Sequence, residues 1–270
     1  MDPQRQWQFA GSVPENYERY LVPALFKPWA EDLVEMAALR SGDRVLDIAC
    51  GTGIVARIAA RRLGGNGSVI GLDLSGPMLD AARAAPEGAA VEWQEGSATK
   101  LPWPDAAFDV VFCQQGLQFF PDKITALREM HRVLASSGRL ALSVWGPIER
   151  SSGFTVLADA LAQHIGPEAG ALMTTGPFSL SNGSELRALI AEAGFQDISI
   201  HPAVKTIRFP SPDEFVLRYA AGSALGTAIN NANDDARAAL LAEIAAKLGS
   251  TADDQGLGFP IESNMVLARA

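Results

Sequence analysis

The chain is expected to fold as an α/β protein, a doubly wound and mostly parallel seven-stranded sheet with helical cap insertions. Short apolar runs alternate with stretches of helical periodicity along much of its 270 residues, as parallel strands joined by crossover helices do. A glycine turn, Gly51-Thr52-Gly53, sits between the first such strand and the helix after it. Glycines there let a backbone approach a ligand that meets the free N–H groups of a helix start.

The elements follow in order. Residues 16–39 carry Tyr17, Tyr20, Leu21, Leu25, Trp29, Leu33, Met36 and Leu39 at spacings that predict a helix. Pro23 and Pro28 inside it predict a break or kink. After the turn Ser41-Gly42-Asp43 comes a buried strand, Val45 to Ala49. A helix at 54–63, a strand at 68–72, a helix at 76–85 and a strand at 90–94 come next. Beyond the Pro-containing loop Leu101 to Pro104 lie a strand at 108–113, a helix at 122–134 and a strand at 139–145. A helix at 184–193 passes through Gly194 to a strand at 197–205, and Asn264 to Ala268 forms the last strand.

Residues 147–183 and 206–262 break the alternation and read as mostly helical. In the second, Asp234-Asp235 starts a helix with Ala238, Leu241, Ile244, Ala245 and Leu248 on one stripe. Both stretches leave the C-terminal half of the sheet and are expected to cap its functional edge. One domain, 1–270, is expected, with an N-terminal helical segment at 1–40 and a cofactor-binding core at 41–146. The caps fall at 147–183 and 206–262, and the closing strands in 184–205 and 263–270.

Composition narrows the function classes. Hydrophobic residues make up 48% and charged residues 20%, which suits a sizeable core and not a disordered chain. A net charge of −9, with no basic cluster beyond Arg61-Arg62, argues against nucleic acid and anionic membrane surfaces as partners. The N-terminus lacks the basic start and apolar run of a signal peptide. No apolar run reaches the roughly 18 residues of a membrane span, and a cytoplasmic location is expected. Cys50 and Cys113 match neither a metal-ligand spacing nor a disulfide framework and read as small buried thiols. No metal is expected.

The chemistry concentrates in Asp47-Ile48-Ala49-Cys50-Gly51-Thr52-Gly53. Asp73, 20 residues beyond Gly53, ends the second strand. There a carboxylate can accept hydrogen bonds from both hydroxyls of a ribose. Gly51, Gly53 and Ala56 also satisfy the dinucleotide pattern G-x-G-x-x-A, so the glycines alone do not separate cofactor classes.

The whole run resembles the D-x-x-C-G-T-G loop of class I S-adenosylmethionine-dependent methyltransferases, with Asp47 matching the acid inside the first strand. A carboxylate there suits the amino group of a methionine moiety better than a pyrophosphate. Four more segments carry the resemblance: Gly71-Leu72-Asp73-Leu74-Ser75 with Met78-Leu79; Gly96-Ser97-Ala98 with Leu101-Pro102; Phe108-Asp109-Val110-Val111; and Arg128-Glu129-Met130 through Arg132-Val133-Leu134 and Gly138. They span about residues 43–145 and are most similar to the ubiquinone-biosynthesis-like branch of small-molecule methyltransferases. Two positions depart from the pattern. Ala49 replaces a loop glycine, which is tolerable if its φ stays negative. Ser97 replaces an acid that meets the adenine amino group, where a hydroxyl accepts more weakly.

The resemblance implies S-adenosyl-L-methionine as cofactor and a small-molecule methyl acceptor as partner. Ala49, Gly51 and Gly53 would line its methionine and ribose portions and Asp73 would hold the ribose. Leu74 joins this set, and Met78 would lie on the adenine face or serve core packing alone. Ser97 is an adenine contact or a loop-capping serine, Ala98 offers backbone to adenine, and Gln114 offers backbone near the sulfonium. Tyr17 closes over the cofactor or simply packs its helix on the sheet.

For catalysis the candidates are Gln118, Gln115 and His164. Gln118 stands where relatives often carry a histidine, and an amide orients an acceptor without taking its proton. His164, in the cap, is the histidine that could reach the site, while His131 and His201 read as structural. Trp145 reads as a pocket wall. Two other readings compete: a nicotinamide-dependent Rossmann oxidoreductase, opposed by Asp47 and by the lack of a Tyr-x-x-x-Lys pair, and a non-catalytic cofactor-binding protein. No motif specifies the acceptor or an oligomeric state.

Overall fold

The computed structural model describes residues 11–85 and 90–270. The first ten residues of the expected N-terminal segment lie outside this range. A three-part helix leads in: α1 (Val13–Asn16), a π-helical stretch (Tyr17–Phe26) and α2 (Lys27–Ala37). The chain stays helical through both prolines, so the break is not found, while regular α-helical winding gives way to π-helical winding around Pro23. Pro23 lies inside the π-helical stretch, where the wider turn accommodates a residue without an N–H. Pro28 stands in the first turn of α2, where no donor is needed.

The sheet and its crossover helices then follow the expected order: β1 (Arg44–Ile48), α3 (Ile54–Leu63), β2 (Ser68–Asp73), α4 (Gly76–Ala84), β3 (Glu92–Glu95), β4 (Phe108–Gln114), α5 (Lys123–Val133) and β5 (Leu134–Trp145). The first cap holds α6 (Ser152–His164) and α7 (Pro167–Thr175); α8 (Gly183–Glu192) and β6 (Gln196–Phe209) come after it. The second cap holds α9 (Pro212–Ala221), α10 (Leu225–Asn231) and α11 (Asp234–Leu248), before β7 (Ala252–Asp253) and β8 (Gly256–Arg269).

Strand order is β3-β2-β1-β4-β5-β8-β6, with β7 paired to β8 off this path. β1 pairs in parallel with both β2 and β4, so the chain reverses its direction of sheet growth between β1 and β4. Ligands of doubly wound sheets bind at the carboxyl ends of strands flanking such a point. Successive residues of β4 serve opposite faces: Val110 and Phe112 join the core with α2, α3 and α6, while Val111 and Cys113 join the core with α5 and α8.

Among the described residues the expected seven strands form the main path of the sheet, the two-residue β7 is added to its side, and the last two long strands exceed their expected bounds. β6 and β8 pair antiparallel from Gln196↔Arg269 out to Phe209↔Leu257. Residues 206–209 and 256–262 are therefore strand, not helical cap. Ile207, Phe209, Leu257, Phe259 and Ile261 all turn inward beneath the cap. Gly256, Gly258 and Pro260 hide this alternation in the sequence.

The two cap segments merge into one. α6 packs against α7 and α11, and α11 against α9. Phe154 of α6 sits at their centre, with ring centroids 5.5 Å from Phe178, 5.5 Å from Phe215 and 5.7 Å from Phe259. The cap also meets the N-terminal helix: a Cβ on Gly222 would come within 2.8 Å of Leu21 Cδ1. Among the described residues no helix is long and apolar enough to cross a membrane.

Candidate functional site

β1 ends in a turn whose geometry is set residue by residue. Ala49 has φ 55° and Gly51 φ 56°, so the negative φ expected of Ala49 is not found. A non-glycine residue costs about 1–2 kcal/mol there, and the surroundings hold it: Cys50 N–H donates to Leu72 carbonyl at 3.0 Å and Gly53 N–H to Cys50 carbonyl at 2.8 Å. A Cβ on Gly116 would meet Ala49 Cβ at 2.7 Å, so a glycine after β4 is what lets the two loops close up.

Asp73 ties this turn to the end of β2. Its Oδ2 accepts from Gly51 N–H at 2.8 Å and its Oδ1 from Ser75 N–H at 2.8 Å. Burial raises its pKa, against the lowering effect of those bonds. Leu74 N–H adds a third, weaker backbone interaction, and a carboxylate with about four acceptor sites still has capacity for a ligand.

Asp47 lies one layer deeper and is 1% exposed. Its Oδ2 accepts from Ala56 N–H at 3.0 Å, fastening the turn to α3, and its Oδ1 is buried with no partner. Burial pushes its carboxyl up to about 8, with Asp73 adding to the rise. The folded value lies above the ordinary 3.8, so the folded chain holds a proton that the unfolded chain releases. The associated stability is full below about pH 4 and is lost as pH rises through about 8. The thermal midpoint of the cofactor-free protein should therefore fall between about pH 5 and pH 8, and Asp47→Asn should fall less steeply. Parallel curves would refute the assignment.

A cavity opens above this turn. It brings together most of the expected cofactor set: Tyr17, Ala49, Gly51, Asp73, Leu74, Met78, Ser97, Ala98 and Gln114. Asp47 and Gly53 do not line it. A Cβ on Gly53 would fall 2.1 Å from Trp93 Cη2, so Gly53 faces the indole on its far side. Tyr17 lies over the turn, 3.9 Å from where a Gly51 Cβ would stand, and stacks on Phe26 with centroids 4.8 Å apart. Ser97 Oγ accepts from Thr99 N–H at 3.3 Å and lies 2.9 Å from Thr99 Oγ1, so it shapes the loop as well as facing the cavity.

The catalytic candidates separate. Gln115, at φ 52°, lines the cavity. Its Nε2 donates to Ser263 Oγ at 3.1 Å, and its Oε1 accepts from Gln118 Nε2 at 3.2 Å. Gln118 is 4% exposed and stands behind Gln115, outside the cavity lining. The structure places His164 away from the site, paired with Glu243 of α11 where it fastens α6. It is not among the residues that line the cavity. His131 packs on Phe195, and His201 bonds Ser199.

Asp73 is the only acid or base lining the cavity among the described residues, apart from phenols. The far half is formed by Leu21, Leu25, Phe26, Trp145, Phe154 and Phe178. The sequence named Trp145 as a wall but missed Trp93, Phe154, Phe178 and Tyr219. The last three come from caps with no motif, and only tertiary packing brings them to the sheet edge.

A doubly wound sheet with a glycine turn, an acid ending the next strand and an apolar chamber at its switch point has the layout of nucleotide-type cofactor folds. Comparison with known proteins fixes the cofactor class. The sequence profile of the methyltransferase domain family matches residues 46–142. The chain is 38% identical over 134 residues to 2-phytyl-1,4-naphtoquinone methyltransferase of Synechococcus elongatus, matching 48% of this chain and 58% of that protein. It is 35% identical over 173 residues to demethylmenaquinone methyltransferase of Deinococcus radiodurans, covering 63% and 71% of the two chains. The phosphoethanolamine N-methyltransferase 2 of Haemonchus contortus, solved with S-adenosyl-L-methionine, shares the fold at a TM-score of 0.58 and 20% identity, over 95% of this chain and 56% of that one.

The chain belongs to the class I S-adenosylmethionine-dependent methyltransferase family, in its ubiquinone-biosynthesis-like branch. S-Adenosylmethionine is the cofactor of that family, and the nicotinamide reading has no support among these relatives. The residues present suit it: an acid with spare lone pairs beside the turn, and an apolar slot of Leu72, Met78 and Ala98 beyond it.

Proposed function

We propose that this protein transfers a methyl group from S-adenosylmethionine to a neutral, largely apolar small molecule, by positioning and water exclusion without a side-chain base. The observation that carries this is the continuity of one cavity from Asp73 to the aromatic chamber under the cap. Asp73 would hold the ribose hydroxyls, Leu72, Leu74, Met78 and Ala98 the adenine, and Ala49, Gly51, Gln114 and Tyr17 the remainder. Ser97 would serve the adenine edge while keeping its bond to Thr99. Asp47 and Gly53 would act through the turn, without touching the ligand. Bound there, the cofactor supplies an electrophilic methyl group on a sulfonium.

The aromatic walls would exclude water and hold the acceptor in line, which can supply most of the acceleration. A chamber without charge at its far end disfavours ionic acceptors, since an unpaired buried charge is costly. The Synechococcus and Deinococcus relatives are named for naphthoquinone and menaquinone-type chemistry, and a flat uncharged ring system is the acceptor class carried over here. The acidic surface, at net −9, supports a small-molecule partner in the cytoplasm over nucleic acid or an anionic membrane. Calorimetry decides the cofactor: S-adenosylmethionine should bind and NADH should not, and the reverse would overturn the reading.

Gln118 would position Gln115 through their shared hydrogen bond. Gln118→Ala should lower kcat by ~5-fold, as expected for one lost hydrogen bond, with cofactor affinity and the shape of the pH–rate profile unchanged. Disappearance of an ionisation from that profile would contradict the role.

A further inference from the structure

In the acceptor half of the cavity nearly every polar side chain is already committed. Gln114 Nε2 donates to the Phe26 carbonyl at 2.9 Å. Gln115 uses both ends of its amide, and Ser223 Oγ accepts from Leu225 N–H at 3.4 Å. Tyr219 of α9 differs. Its ring lines the cavity, is 8% exposed and stands edge-on to Phe154 with centroids 5.0 Å apart. Its hydroxyl has no hydrogen-bond partner among the described residues.

The hydroxyl is not sealed off from the cavity, so it is free to donate to whatever fills that space. Tyr17 carries the other uncommitted phenol, but it lies over Gly51 at the cofactor end. Both tyrosines line the same cavity. With Phe154 wedged among Phe178, Phe215 and Phe259, the Tyr219 ring has a fixed wall beside it.

We propose that the Tyr219 hydroxyl donates a hydrogen bond to an oxygen of the methyl acceptor, selecting oxygen-bearing ring compounds over bare hydrocarbons and orienting the ring toward the methyl group. This rests on reading the aromatic chamber as the acceptor site. Burial drives the Tyr219 phenol above its ordinary range, so it stays protonated and serves as a donor, not as a base. Specificity of this kind is strong because a mismatched ligand leaves the hydroxyl unpaired.

The test uses the full chain saturated with S-adenosylhomocysteine and two probes with the same bicyclic skeleton, the ketone 1-tetralone and the hydrocarbon tetralin. Wild type should bind 1-tetralone ~5-fold tighter than tetralin, the value of about one net hydrogen bond. Tyr219→Phe should bind both alike, with its affinities for tetralin and S-adenosylhomocysteine unchanged and its thermal midpoint no lower. A preference that survives in Tyr219→Phe overturns the inference, as does a wild type that binds neither probe or shows no preference. Failure of wild type to bind S-adenosylhomocysteine at all would instead overturn the cofactor reading beneath it.

Discussion

Replacing Asp73 by alanine is expected to weaken S-adenosylmethionine binding by between ~10-fold and ~100-fold. A hydrogen bond to a charged group contributes roughly 1.5–3 kcal/mol, and each 1.4 kcal/mol is about a factor of ten. That range is the contribution of one such bond, and a second ribose hydroxyl on the carboxylate would add to it. The substitution also removes the acceptor of Gly51 N–H at 2.8 Å and of Ser75 N–H at 2.8 Å, so the turn itself loosens. Asp73→Asn separates the two contributions, because it keeps one acceptor oxygen for the backbone while losing the charge. Calorimetry is the measurement, and a dissociation constant within twofold of wild type for Asp73→Ala would remove Asp73 from the site.

Gly53→Ala is expected to be the most destabilising single-methyl change in the cofactor loop. The residue sits at φ 85°, and its new Cβ would fall 2.1 Å from Trp93 Cη2 and 2.6 Å from Cζ3. The indole has little room to retreat, since a Cβ on Gly71 would already lie 2.5 Å from Cζ3. Left-handed backbone costs an alanine about 1–2 kcal/mol, and overpacking adds roughly 1–3 kcal/mol. Urea denaturation should show a loss of roughly 2–5 kcal/mol. In a Trp93→Ala background the overpacking part should vanish while the backbone part remains. Equal losses in the two backgrounds would mean that Trp93 is not what occupies this space.

Much of the core was legible because its signals are local. The helix at 54–63 lies between glycine turns and the strand at 108–113 is a short apolar run between a Pro-containing loop and Gly116, and they appear as Ile54–Leu63 and Phe108–Gln114. The turn around Gly51 and its acid Asp73 were legible for the same reason: strand, glycines and carboxylate lie within a single βαβ unit. Two failures there are instructive. Ala49 adopts φ 55° although alanine resists it, because Leu72, Gly116 and the turn hydrogen bonds overrule local preference. Gly53 looks like its neighbour Gly51 in sequence, yet one faces the cavity and the other faces Trp93.

Beyond residue 146 the physics is non-local. Gly256, Gly258 and Pro260 read as breakers, but pairing with β6 turns the segment into strand, since ladder hydrogen bonds and inward burial of Leu257, Phe259 and Ile261 outweigh weak propensity. His164 looked available on a cap helix until α11 supplied Glu243. By itself the sequence determined the fold class, the alternation of strands and helices through residue 145, the glycine turn with its acid and the family resemblance, all encoded in periodicity and in residues close along the chain. Only the tertiary structure decided which glutamine faces the cavity, that Trp93 backs the turn, and that Phe154, Phe178 and Tyr219 form the chamber. Those contacts join segments far apart in sequence, and the shared burial that selects them leaves no spacing rule behind.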